Sequence, residues 1–402
     1  MEMKKILAVS VILLFIGVTI APTINFLVVK ASQDDDLVEV TTQSYTKHRL
    51  IIISGNNDLT PENGVVSGTG TNVDPYIISG WEFDGSTQYL IDKIRWKSIF
   101  HQLLIALLFG VKESAISISN TDKYIIIRDN YFLDWNEPTP PPDPYGHSPL
   151  PDHMAIAIGN AKNIVIENNI ISNCNEGISC SSLAIIRNNS FFSIKDGWEV
   201  VSISAQGTIV ENNVFQDCDV NSCIYFLYAD NTTIIRNNSL KNIEGYSILG
   251  VNGLVENNTL VNCDIAIKVG SSTVENNLVK SSTIGVASFS PNFISHNDLI
   301  NNSVGVGCYW SPHNPIIINN TIQGNNWGIY GIEGSQPLVH NNNIFGNNAG
   351  LNYKGGRIIN ATLNWWGASN GPSGTGPGDG DSVSDNVSYN PWLTSPNPDA
   401  GR

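Results

Sequence analysis

The stretch GLVENNTLVNC, Gly253 to Cys263, is one copy of a unit that recurs along the chain. NIVIENNIISNC ends at Cys174, and GTIVENNVFQDC ends at Cys218. Two or three apolar residues, one charged residue and an asparagine pair return each time. The pairs begin at Asn168, Asn188, Asn212, Asn237, Asn257, Asn276, Asn319 and Asn341, and Asn297-Asp298 fills the gap before Asn319. The steps are 20, 24, 25, 20, 19, 21, 22 and 22 residues. Asp129-Asn130 reads as an earlier copy and Leu363-Asn364 as a final one. A period of this size marks a solenoid.

Each unit carries short β-branched runs, such as IVI, TIV and TII, punctuated by Gly, Asn and Ser. No helix-length period separates them, and leucines at fixed spacing are absent. The fold class is therefore all-β: a parallel β-helix, with two or three short strands per turn and roughly 11–13 turns of about 4.8 Å each. Asparagine in such a coil tolerates unusual backbone angles at a bend. Stacked on successive turns, its amide can also close a ladder of hydrogen bonds.

Registers predict the columns. Six residues after each pair lie Cys174, Ile194, Cys218, Ile243 and Cys263, an inward apolar column. Its cysteines sit two turns apart, about 9.6 Å, too far to bridge. Free, buried thiols are expected despite the even cysteine count. Just before the pairs stand Arg128, Glu167, Arg187, Glu211, Arg236, Glu256, Glu275 and His296, an outward column whose signs alternate over six copies. Seven residues after the pairs come Asn175, Lys195, Asp219, Glu244 and Asp264, with Asp217 close by. Like charges stacked at strand spacing invite a bound cation, so Asp219, Glu244 and Asp264 form the Ca²⁺ candidate. Asp379, Asp381 and Asp385 are a second one. The bland alternative is a solvated turn face, because turns favour Asp and Asn.

Of 402 residues only 14% are charged, and the net charge is −15. Lys4 and Lys5 precede an apolar run from Ile6 to Ile20, which reads as a signal peptide over residues 1–31. The rival reading is an uncleaved membrane anchor. Removing that segment, with its three Lys and one Glu, leaves −17. An acidic chain of this kind excludes nucleic acid as a partner.

With these units laid out, the chain resembles the secreted right-handed parallel β-helix proteins of archaea and bacteria, the superfamily of pectate lyases, polygalacturonases and NosD-type proteins. Ile51 to Trp81, IIISGNNDLTPENGVVSGTGTNVDPYIISGW, looks like its opening segment, and Asn364 to Leu393 like its closing cap. The resemblance implies the right-handed coil over residues 51–393, between a linker at 32–50 and a tail at 394–402. It implies little about activity, because one fold hosts many functions. The polygalacturonase set is reduced to Asn120-Thr121-Asp122, and the soft-ligand clusters that copper needs are lacking.

Two segments depart from the repeat. Residues 88–113 have helical composition and a local charge of +2, and are expected to form one inserted helix. It would cover the flank of the coil or contact a membrane surface. Residues 136–152 form a proline-rich loop. Trp135, Tyr145, His147 and His153 could wall a sugar-binding groove beside it, with Trp198 as a further substrate-binding candidate.

Three functional readings follow. The first is a secreted or cell-surface protein that binds polysaccharide or a cell-envelope partner without catalysis, through outer aromatics such as Trp198, Tyr225, Tyr309, Trp327 and Tyr330. The second is a calcium-assisted polysaccharide lyase or glycoside hydrolase. Its catalytic candidates are Asp217, Asp219, Glu244, Asp264 and Lys195, with Lys268 as another base. The third is a structural envelope component that assembles with copies of itself.

Overall fold

A computed structural model describes residues 23–30, 39–86, 114–136, 153–227, 229–309, 314–332 and 334–402. The expected signal peptide up to residue 22, the inserted helix at 88–113, Tyr145, His147 and most of the proline-rich loop lie outside the described residues.

The chain winds into a parallel coil with two sheets of 24 and 14 strands. One turn shows the plan. Thr273–Glu275 belongs to the 14-stranded sheet. Leu278–Lys280 and Ile284–Ser288 form two sides of the longer sheet, here called proximal and distal. In some turns these two strands fuse into one, as in Thr259–Gly270. In the shorter sheet all pairings are parallel except that of Val65–Ser67 with Tyr76–Ser79.

The two members of each asparagine pair do different work. The first takes the left-handed region, with φ of 56° at Asn168, Asn257 and Asn276, and turns the chain between sheets. The second is fully buried: Asn169, Asn258 and Asn277 are 0% exposed. Its Oδ1 accepts both the backbone N–H and the side-chain N–H of its predecessor. For Asn258 on Asn277 these are 2.9 and 3.0 Å. Its own Nδ2 donates to a strand carbonyl as well, Ile235 O for Asn258. This line runs unbroken from Asn130 to Asn364. One copy sits a residue earlier than the spacing predicts. His296 (φ 55°) takes the corner and Asn297 takes the ladder, so Ser295, not His296, follows Glu275 in the outward column.

The column six residues after the pair is inward, as expected. All six cysteines are free and buried. From Ser282 onward it becomes a second ladder. Ser282, Asn302, Asn325 and Asn347 each donate their backbone N–H to the next side chain, and Asn347 donates at 2.9 Å to the Asp381 carboxylate. Asn347 Nδ2 adds a second bond to the same oxygen at 2.7 Å. Burial raises the Asp381 pKa. Asp381, a calcium candidate in the sequence, thus uses one carboxylate oxygen to terminate a ladder.

The core is filled by Val, Ile and stacked rings, Phe83 on Phe132 at 5.0 Å and Phe191 on Phe215 at 4.7 Å. Trp366 of the closing segment is fully buried. The expected linker contains a strand, Glu39–Lys47, paired with Thr23–Lys30 and, in parallel, with Trp81–Asp84. The expected tail is packed too: Asn397 exchanges hydrogen bonds with Asn343, and Gly401 N donates to Asn319 O.

Asn258→Ala removes the acceptor of two buried N–H groups of Asn238. It should cost about 3 kcal/mol, read as a lower denaturation midpoint. Asn257→Gly keeps the left-handed corner and should change stability by less than about 0.5 kcal/mol.

Candidate functional site

The acidic column is exposed and only partly in register. Asp219 lies beside Glu244, and Lys195 beside Asp219. Asp264 is offset, because two residues, Glu244 and Gly245, separate Ile243 from Tyr246 where Asp264 alone separates Cys263 from Ile265. Gly245 has φ 92°, and a Cβ there would lie 2.1 Å from Val220 O, so only glycine fits this bulge. An Asp264 carboxylate oxygen accepts Gly245 N–H at 3.2 Å. Asp217 occupies a left-handed corner (φ 55°) and accepts from Asn242 at 2.7 Å and from Gln216 at 2.9 Å. Asn242 accepts in turn from Asn262. Among the described residues no three His, Cys, Asp or Glu side chains converge to hold a metal ion.

The groove-wall candidates separate. Trp135 is 5% exposed, and its indole N–H donates to Phe83 O at 3.3 Å. It belongs to the core, as does the neighbouring His153 at 8% exposed, with ring centroids 6.2 Å apart. Trp198 is exposed, at the corner before Glu199–Ile203, where its carbonyl accepts Ser222 N–H.

The outer aromatics instead converge on the distal side. Ser222, Tyr246, Ile265, Ile284, Val304, Trp327 and Ala349 form one register, in which Ser222 and Val304 are buried and the other five are part-exposed. Tyr225, Leu249, Lys268, Ala287, Gly307, Tyr330 and Asn352 form the next. Trp327 stacks on Tyr330, with centroids 4.8 Å apart at 19°, and Tyr309 adds a third ring 6.0 Å from Tyr330. Gly307 makes room: a Cβ there would lie 2.1 Å from the Tyr309 ring. Burial, then Cys308 and Tyr330, pushes the Tyr309 hydroxyl up to about 12. Lys268 lies 4.2 Å from the Tyr246 ring centre and donates to its hydroxyl at 3.0 Å. From the Tyr225 strand to the Tyr330 strand is five steps, about 24 Å. Lys268 was a candidate base in the sequence, but its partner Tyr246 escaped that reading, although Tyr246 falls nine residues after Asn237, where the distal strand begins.

The family described as "Right handed beta helix region" matches residues 51–240. The family described as "Periplasmic copper-binding protein (NosD)" matches residues 251–375. The coil seen here is the right-handed β-helix fold that the first of these descriptions names. No curated protein matches this β-helix. Among solved structures it is similar to a mutant of the periplasmic alginate epimerase AlgG, with 13% identity and a TM-score of 0.43, covering 79% of this chain and 85% of that one. It is also similar to XylC in complex with xylose, with 14% identity and a TM-score of 0.35, covering 68% of this chain and 51% of that one.

The name of the second family raises copper, and the donor set does not fit it. Soft metals take thiolates, whereas Cys263 and Cys308 in the matched stretch are buried and burial pushes the Cys308 thiol up to about 12. His296 sits at a corner against Asn319, and His340 on the shorter sheet near Thr362. Among the described residues no helix is long and apolar enough to cross a membrane.

A thiol reagent should therefore find no reactive cysteine in the folded β-helix and all six after denaturation. Rapid native labelling of Cys263 or Cys308 would contradict their burial.

Proposed function

We propose that this β-helix is an exported, cell-surface or periplasmic protein that binds an extended polysaccharide along its distal side without transforming it. The observation that supports this reading most is the run of aromatic side chains on one outward face, with Trp327 and Tyr330 stacked and Tyr309 beside them. A sugar ring has apolar C–H faces that pack on aromatic rings, while its hydroxyls need polar rims. Here Asn352 and Lys268 share the outward register of Tyr225 and Tyr330. The aromatic contacts gather at two places on this side, Tyr225 and Tyr246 on earlier strands and Tyr309, Trp327 and Tyr330 on later ones, so a polymer must be long enough to reach both. The net charge of −15 favours a neutral polymer over a polyanion. The export reading rests on Lys4, Lys5 and the apolar run that follows them.

The calcium-assisted lyase or hydrolase reading rests on the exposed Asp219 and Glu244, adjacent in register. Asp217 and Asp264 spend oxygens on corner hydrogen bonds, which weighs against a four-carboxylate centre.

Affinity electrophoresis against a panel of neutral and uronic-acid polysaccharides tests the proposal. Trp327→Ala and Tyr330→Ala should each weaken retention on a bound polymer about tenfold, the loss of one aromatic contact of roughly 1.4 kcal/mol. Asp219→Asn should leave retention unchanged. Calcium-dependent turnover that disappears in Asp219→Asn would refute binding without catalysis.

A further inference from the structure

The outward face of the 14-stranded sheet carries two columns that the binding proposal does not use. One is apolar on six successive turns: Ile126, Val165, Ile185, Ile209, Ile234 and Leu254, all half-buried and in register. The other is Arg128, Glu167, Arg187, Glu211, Arg236 and Glu256. Strand propensity alone does not produce an apolar outer column. On the same turns of the proximal side the corresponding column reads Tyr131, Ile170, Ser190, Val214, Ser239 and Thr259, half of it polar.

We infer that this face is the contact surface for a second copy of the chain, docked antiparallel about a two-fold axis. The charge arrangement selects that occupant. Over these six turns three arginines and three glutamates balance on a chain of net charge −15, and the next strand adds Glu275, which the axis sets against the partner's uncharged Ser79. Two copies can meet here without the repulsion they meet elsewhere. A two-fold axis midway between Ala184–Arg187 and Ile209–Glu211 reverses the order of the turns. Arg128 then faces the partner's Glu256, Glu167 the partner's Arg236, and Arg187 the partner's Glu211. Every facing pair has opposite sign, because an alternating series of even length is its own complement when reversed. The same axis sets Ile126 against the partner's Leu254, Val165 against its Ile234, and Ile185 against its Ile209.

Within one chain the central charges are already tied, Arg187 to Glu167 and Arg236 to Glu211, both at 2.7 Å. The end charges are held less closely: Arg128 lies 3.7 Å from Asp129 and 4.0 Å from Glu167, and Glu256 lies 4.0 Å from Arg236. Those loose ends are the ones brought face to face. The more exposed Phe293, Ile316 and Leu338 lie beyond this window, where Ser295, Ile318 and His340 supply no sign pattern to fix a register. The two-fold contact is closed, so it yields dimers and not filaments.

Sedimentation of the full chain over a concentration series reads the outcome. A monomer–dimer equilibrium is expected. Ile209→Lys, presented twice at the axis, should weaken it by about 100-fold or more with an unchanged circular-dichroism spectrum. Glu256→Arg should also weaken it, by setting arginine against the partner's Arg128. Adding Arg128→Glu in the same chain should restore it. A monomer at every concentration, a dimer indifferent to Ile209→Lys, or a failed rescue in the double variant would each overturn the proposal. Polysaccharide retention by the monomeric Ile209→Lys variant should persist, because the distal side is untouched.

Discussion

The rest of this structure depends on one constraint: every turn must bring a buried amide to the same place as the turn before. An inward asparagine carries two donors and an acceptor into an apolar core, and leaving them unpaired would cost several kcal/mol. The ladder satisfies them only if the next turn arrives in register. The interaction that prevents a polar core from being a liability thus also fixes the stacking. The second ladder, from Ser282 to Asp381, adds a further register lock to the later turns.

Much of this plan is legible in the sequence. The asparagine spacing shows a coil of short strands, and the inward Cys/Ile column shows which side faces the core. Which asparagine of each pair does which task is not legible, because both are the same residue. The copies that break the pattern resolve it in the structure: His296 and Leu363 take the corner, where only backbone angle matters, and Asn297 and Asn364 keep the ladder. The second ladder, through Ser282, Asn302 and Asn325, continues a column that is Cys and Ile on the earlier turns, so its polar character is not foretold by them.

The functional columns were legible in part for a related reason. Outward residues answer to no core, so their alignment rests on strand register alone, and one extra residue disturbs it. Gly245 is such a residue, and it takes Asp264 out of line with Glu244. Trp135 looked like a groove wall because it precedes a proline-rich loop. Its indole N–H found a carbonyl inside the coil, and its rings and edges filled core space. The aromatics of the distal side were visible as outer residues, but their convergence needed the pairing of strands some 20 residues apart.

A rigid coil presents its three faces as independent surfaces. A glycan on the distal side and a second copy on the shorter sheet would not compete. Hydrogen exchange of the β-helix with and without a retained polysaccharide tests the central functional claim most directly. The account predicts slowed exchange confined to the distal strands, Val214–Phe226 beyond Ser222, Val304–Cys308 and Trp327–Gly331. Protection confined to the corner that holds Asp217, Asp219 and Glu244, with the distal strands unchanged, would contradict it.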